Sequence, residues 1–451
     1  SEMCIRDRNN SMNCMKEPEI LTIDAHCHLF NHEFLSWRLL VDFILSRMRP
    51  RGPRECLEAA GGISGLKQII RFFKTGLMDT ENIYGKLLAE GGCNTVVPLM
   101  FDLYYCMKGA GRSDGPGQRK ACKKKVKRAA RKEWAVLRKE LDELAEQAGR
   151  GDRREIGEMK QALRRLSRRT ERLPLGKRDA FRMQEEELLK LAAAHPGRVL
   201  PFYVVDPRRP GNWLHGPDGT IDVSPMTDRL VPELGGKGGF YGFKLYCPNG
   251  YSPTDPALMA LYEYCERHGV PLTAHCSGGG FASFSPSITV HGHVYRNGEV
   301  VPHDGVLEFR HYRLTDKLRV KEKAELLNHP RLWEKVMEAF PRLRLNLAHF
   351  GCQDEGMEWT ELIYGMMEKF PGLHTDLSCI TETAKLREMR EYFLKAPEQV
   401  RRKFLFGSDF YLNLLFLDGM KEYMENFRNT FTEQERQELM TANPSAFLGL
   451  S

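Results

Sequence analysis

The chain has 451 residues, 41% hydrophobic and 28% charged, with a formal net charge of +7. That length can bury a large core, and the composition is ordinary for a soluble globular protein. No apolar run reaches the roughly 18 residues of a membrane span, and the N-terminal stretch SEMCIRDRNNSMNCMKEPE has no apolar centre between its charges, so it is not read as a secretory signal.

The chain carries 12 cysteines and no C-x-x-C pair. A chain this large needs no disulfide staples, and a reducing, cytoplasmic location is expected. The charge is uneven. Residues 119–178 carry 22 Lys/Arg against 9 Asp/Glu, a net +13, which leaves the remainder at −6.

Taken in order, residues 1–18 are expected to be a disordered or artefactual tail. They do not begin with Met, and SEMCIRDR looks like translated adapter read-through. The fold proper is set at 19–451. ILTIDAH (20–26) is the first strand-like run. Helical stretches around 33–47, 66–75 and 80–90 lead to a second, TVVPLMF (95–101). RVLPFYVVD (198–206) and FYGFKLY (240–246) are the third and fourth, and VPLTAH (270–275) follows a helix over 255–268. LRLNLAH (343–349), LHTDLS (373–378) and RKFLFGSD (402–409) complete the set, with helices over 331–339, 355–369 and 382–397. Eight strands alternating with helices predict a parallel α/β fold, and the count favours a closed (β/α)8 barrel.

Two segments interrupt the rhythm. In 107–178, after strand two, Leu137, Leu141, Leu144 and Ala148 step at helical spacing. So do Ile156, Met159, Leu163 and Leu166, with GRGD (149–152) between the two rows. This predicts a basic helical hairpin with one apolar seam. Its KACKKKVKRAARK run (120–132) could attract phosphates. Only Trp134 is near as a stacking aromatic, so a solvated surface or an oligomer contact is the preferred reading and nucleic acid is not an expected partner. The segment 277–329, after strand five, reads as an irregular loop over the barrel mouth. Its His291, His293, His303 and His311 read as loop or surface groups.

The opening run raises the chemical question. In LTIDAHCHLF (21–30), Asp24, His26 and His28 fall at alternate positions, so in a strand they share one face. Barrel active sites lie at the C-terminal strand ends. Strand four carries Lys244, strand five ends in His275, strand six in His349 and strand eight in Asp409. His349 and Asp409 are 60 residues apart, room for two βαβ units of roughly 30 residues. Asp24, deeper than the histidines, reads as a structural hydrogen-bonding group.

DAHCHLF, GVPLTAHC, LRLNLAHFG, FGSDF and NPSAFLGL (443–450) together resemble the amidohydrolase superfamily. The resemblance is to its amidohydrolase-2 branch, which includes relatives of aminocarboxymuconate-semialdehyde decarboxylase. It covers about 20–451 outside the insertions. It implies a divalent metal, most often one Zn²⁺, on His26, His28, His275 and Asp409. Asp409 is also implied as general base, and His349 as the group that orients water or stabilises developing charge. It leaves two readings of Lys244: a contact to an anionic substrate group, or a carboxylated bridge between two metals. Tyr246 stands where the branch pattern has His. Lys244, Tyr246 and Arg310 are candidate substrate contacts, with Arg208 a weaker one. The leading expectation is hydrolysis of a C–N or C–O bond in a small polar molecule. The alternative is non-oxidative decarboxylation or hydration of a carboxylated one. From another class, a non-catalytic scaffold would bind partners through the basic hairpin.

Overall fold

The computed structural model describes residues 21–31, 74–102, 180–283, 285–309, 317–352 and 357–450, with scattered positions between 68 and 164. The tail 1–18, the stretch 33–47, most of 107–178, Arg310 and His311 lie outside the described residues.

All eight predicted runs contain a strand: β1 (Ile23–Cys27), β2 (Thr95–Pro98), β3 (Phe202–Val205), β4 (Gly242–Leu245), β5 (Leu272–His275), β6 (Leu345–Ala348), β7 (Leu373–Asp376) and β8 (Phe404–Leu405). They pair in parallel and in chain order. β1 lies on β2, and β3 through β8 form a continuous six-stranded sheet. Single bridges close the cylinder: Val96 to Val199 and Leu99 to Phe202 join β2 to β3, and Cys27 to Phe410 joins β1 to the β8 exit. The Ala25 N–H reinforces that seam by donating to the Phe406 carbonyl at 3.0 Å.

The strands are apolar runs because a barrel strand is covered on both faces. On β1, Ile23 and Ala25 pack with Val97, Leu99, Phe202, Leu405 and Phe447. Asp24 and His26 occupy the alternate positions and are also buried. The surrounding helices are α1 (Thr80–Gly91), α2 (Ala180–Ala194), α3 (Pro256–His268), α4 (Lys317–Asn328), α5 (Pro330–Ala339), α6 (Glu358–Lys369), α7 (Thr383–Lys395) and α8 (Met420–Thr430). Their ends follow capping chemistry. Asp255 accepts from the Ala257 N–H at the start of α3, Pro256 takes the first turn, and Gly269 stops the helix at φ 63°. Lys403 Nζ donates to the Met367 and Phe370 carbonyls, at 2.6 and 2.8 Å, where α6 ends. Among the described residues no helix is long and apolar enough to cross a membrane.

The 277–329 segment is more regular than an irregular loop. Ser287–Arg296 and Glu299–Glu308 form a ten-residue antiparallel ribbon, followed by α4. The turn is Asn297–Gly298, at φ 53° and 87°, the pair that tolerates the left-handed backbone a two-residue hairpin needs. Ile288, Val290, Val294 and Leu307 pack with Leu327 of α4. Ser252 Oγ donates to the His293 carbonyl at 2.7 Å, tying the ribbon to the β4 exit. His291 meets Asp304 across the ribbon at 2.5 Å, an exposed pair. In the first insertion, the described positions between 139 and 164 are helical, Ile156 is buried in the main core, and Lys160 pairs with Asp142.

His329 caps α5, its Nδ1 accepting from the Arg331 N–H at 3.2 Å, and stacks on Tyr295 with ring centroids 3.5 Å apart. Burial lowers its pKa from 6.5 to about 4. The unfolded chain therefore takes up this proton at a higher pH than the folded one. The ring's contribution is intact above pH 6.5 and is lost as pH falls towards 4, by on the order of 3 kcal/mol. In His329→Asn, which keeps a capping acceptor, the loss of denaturation free energy between pH 7 and pH 4 should shrink by about that amount, measured in urea at both pH values.

Candidate metal centre

The buried side chains of β1 are arranged by depth. Asp24, the deepest, accepts from the Ser408 N–H at 2.9 Å, the Ser408 hydroxyl at 2.5 Å and the His26 N–H at 3.2 Å. Burial raises its pKa to about 7 against those bonds. This is the structural role expected of it, and it fixes the residue just before Asp409.

Above it, His26 Nδ1 lies 3.0 Å from Asp376 Oδ2, and His28 Nδ1 lies 2.9 Å from the Leu99 carbonyl oxygen. An ionised carboxylate and a carbonyl only accept, so each neutral ring carries its proton on Nδ1. Each Nε2 is then a lone pair. Both point at Asp409 Oδ1, from 3.5 and 3.2 Å. That oxygen is buried and has no hydrogen-bond donor among the described residues. Three electron-rich atoms facing one another out of water are costly unless a cation lies among them. The ligating atoms of His26, His28 and Asp409 all lie within 4.8 Å of one another. Two imidazoles and a carboxylate suit Zn²⁺ and related divalent ions. Outer ring N–H groups held by a carboxylate or a carbonyl are how metal-bound histidines are oriented. The donor set fits the metal that the sequence implies.

Asp409 adopts φ 54°, a left-handed conformation a non-glycine residue rarely takes. Its N–H donates to the His26 carbonyl at 2.8 Å, which holds the turn.

His349, at the β6 exit, is also left-handed, at φ 69°. Its N–H donates to Asp376 Oδ1 at 3.0 Å, and its Nδ1 lies 3.2 Å from the Ser378 carbonyl oxygen. His275 ends β5 with Nε2 at 3.2 Å from the Gly279 carbonyl and Nδ1 at 3.1 Å from His349 Nε2. The rings of His28, His26, His349 and His275 form a row, with successive centroids 5.4, 5.0 and 4.9 Å apart. His275 is thus separated from the three-residue ligand set by the ring of His349. Its Nε2 also lies 3.1 Å from the Ser277 hydroxyl, which can donate to it, so the His275 ring can place its proton on Nδ1 and donate to His349 Nε2. Burial lowers the pKa of both rings, and that of His26 to about 4.

Lys244 is 1% exposed on β4. Burial lowers its amine to about 8 against the opposing charges of Asp376 and Asp409. Tyr246 stacks at 4.5 Å on His275. Its hydroxyl donates to the Phe281 carbonyl at 2.9 Å and accepts from the Phe281 N–H at 2.7 Å, so it clamps the loop that holds His275. Arg208 is engaged by Asp206 through Nε and Nη2, at 2.8 and 2.6 Å, and by the Asn249 and Gly250 carbonyls, so it joins the β3 and β4 exits.

Two residues escaped the sequence reading. Asp376 ends β7 and Ser378 lies two residues beyond, both inside the run predicted as strand seven, LHTDLS, and the signal was an acid at the same strand end as the other site groups. Burial alone would raise the Asp376 carboxyl. His26 and the surrounding donors hold it well below the usual range instead. An aromatic wall also emerges: Phe30 and Phe101 stack at 6.2 Å, and Phe101 meets Tyr246 at 4.8 Å and Phe281 at 6.4 Å.

The sequence profile of the amidohydrolase family matches residues 23–450. The chain belongs to the amidohydrolase family. As an amidohydrolase it is an enzyme, a hydrolase or a decarboxylase. No curated protein matches it. Among solved structures it is similar to 2,6-dihydroxybenzoate decarboxylase from Rhizobium, at 12% identity over 96% of this chain and 99% of that one, with a TM-score of 0.43. A 5-carboxyvanillate decarboxylase from Novosphingobium aromaticivorans, complexed with manganese, matches at 10% identity over 96% and 97%, with a TM-score of 0.48. A putative 2-pyrone-4,6-dicarboxylic acid hydrolase from Pseudomonas putida matches at 12% over 96% and 98%, with a TM-score of 0.46.

If this amidohydrolase holds its ion as the lone pairs dictate, Asp409→Asn and His28→Ala should each weaken Zn²⁺ binding by at least tenfold, read by chelator competition, while circular dichroism stays unchanged.

Proposed function

We propose that the protein is a metal-dependent hydrolase that uses activated water on a C–N or C–O bond of a small polar substrate. One observation carries this: two imidazole lone pairs and an unpartnered carboxylate oxygen converge at the open end of the barrel. A divalent ion bound there, most simply one Zn²⁺ per chain, supplies Lewis acidity and acidifies water to a pKa of about 7.

The residues have distinct tasks. His26, His28 and Asp409 would hold the ion, and His275 is the candidate fourth ligand. Asp409 accepts the proton of the attacking water. A carboxylate is a poor base towards ordinary water and an adequate one towards acidified water. His349, with Nδ1 fixed on Ser378, offers Nε2 to orient water or to stabilise developing charge.

The second reading, decarboxylation or hydration of a carboxylated substrate, is favoured by the buried amine of Lys244 together with the aromatic wall. The buried amine pairs with a carboxylate while Phe30, Phe101 and the Tyr246 ring face a flat apolar body. The buried Lys244, with His275 and His349 only 3.1 Å apart at their ring nitrogens, supports a variant of the site with a second ion and a carboxylated Lys244. We place the enzyme in a reducing cytoplasm, with the 107–178 hairpin as a peripheral insertion and a candidate contact between copies.

Metal-loaded enzyme should be screened against lactones, amides and aromatic carboxylic acids in ¹⁸O-labelled water. Hydrolysis predicts label in the organic product and a loss of about 10²-fold or more in kcat for Asp409→Asn. Release of CO₂ with no label in the organic product establishes decarboxylation instead, and there Lys244→Met should raise KM at least tenfold.

A further inference from the structure

We infer that Asp376 and Ser378, at the exit of β7, are positioning residues that lock the proton tautomers of the two central histidines. Asp376 acts on His26 directly and on His349 through the serine hydroxyl. The inference rests on the metal-centre reading and goes beyond it, because it names what keeps the lone pairs turned inward.

Asp376 is fully buried and takes an unusual number of donors for one carboxylate. Oδ2 accepts from His26 Nδ1 at 3.0 Å and from Asn346 Nδ2 at 2.7 Å. Oδ1 accepts from the N–H of His349 at 3.0 Å, from the N–H of Ser378 at 3.1 Å, and from the Ser378 hydroxyl. The serine has one proton and gives it to Asp376. Its oxygen is therefore an acceptor towards His349 Nδ1 at 2.9 Å and His26 Nδ1 at 3.0 Å. Both rings thus meet acceptors on the Nδ1 side, and both must carry their single proton there.

The alternative tautomer shows why this matters. If His26 carried its proton on Nε2, that N–H would donate to Asp409 Oδ1. The two side chains would then satisfy each other with no ion, and a cation would have to break that bond to enter. Asp376 removes this competing arrangement. An asparagine could not replace it, because its NH₂ group must confront either the His26 N–H or the backbone N–H groups of His349 and Ser378. Asn346 anchors Oδ2, and a hydrogen bond from its Nδ2 to Thr273 Oγ1, at 3.4 Å, ties it to β5.

Zn²⁺ affinity measured by chelator competition tests the inference, with Co²⁺ absorption reporting the ligand set. Asp376→Asn should weaken Zn²⁺ binding roughly 10–100-fold and alter the visible Co²⁺ spectrum. In a His26→Ala background the same substitution should cost less than about twofold, because the ring it acts through is gone. An effect as large in that background as in the wild type would mean a general structural role and overturn the inference, as would wild-type affinity in Asp376→Asn. Should Asp376→Asn fail to fold, ¹⁵N-histidine NMR of the wild-type chain decides. The His26 signal, identified by its loss in His26→Ala, should show the Nδ1–H pattern, and an Nε2–H pattern refutes the lock. Failure of the wild-type chain to bind any divalent ion would overturn the metal reading itself, and the NMR result would still judge the tautomer.

Discussion

Electron pairs that face one another inside a protein are the constraint on which this structure turns. A buried carboxylate oxygen meets two imidazole nitrogens whose outer N–H groups are committed elsewhere, to Asp376 and to the Leu99 carbonyl. Hydrogen bonding among these three atoms cannot resolve the conflict, because none of them has a proton to give. Positive charge can. The barrel supplies the geometry by bringing β1 and the β8 exit side by side through the bridge that closes it. Closure of the fold and assembly of the site are the same event.

Backbone strain is concentrated where the chemistry sits. His349, Cys379 and Asp409 follow the ends of β6, β7 and β8, and all three are left-handed non-glycine residues, at φ 69°, 58° and 54°. Such conformations cost about 1–3 kcal/mol each and persist only where the surroundings over-determine them. Here two buried carboxylates help to do so. Asp376 holds the N–H groups of His349 and Ser378, and Asp24 holds Ser408 just before Asp409. The turns swing the side chains of His349 and Asp409 towards the barrel axis. Strain at the strand ends is thus offset by hydrogen bonds one layer deeper.

Much of this was legible in the sequence, for a specific reason. A barrel strand is a short apolar run, so all eight were visible, and alternation along β1 placed Asp24, His26 and His28 on one face without further information. The features that could not be read depend on partners distant in sequence or on backbone atoms. Asp376 finds His26 350 residues away. The Leu99 carbonyl sets the tautomer of His28, and nothing in a residue's identity announces where its carbonyl will point. Tyr246, just past β4, is a candidate substrate contact by its place in the sequence, and the bonds of its hydroxyl to the Phe281 backbone, 35 residues on, could not be read there. The ribbon did leave a trace. Asn297–Gly298 is a strong hairpin signal, but glycines and histidines thin the alternation around it to Ile288, Val290 and Val294.

The central claim is that one cation sits among His26 Nε2, His28 Nε2 and Asp409 Oδ1. Anomalous diffraction at the zinc edge, from crystals of the Zn²⁺-loaded protein, tests it most directly. The account predicts a strong peak about 2.0–2.2 Å from all three atoms. A map with no peak there, or with its peak confined to His349 and Asp376, would contradict it.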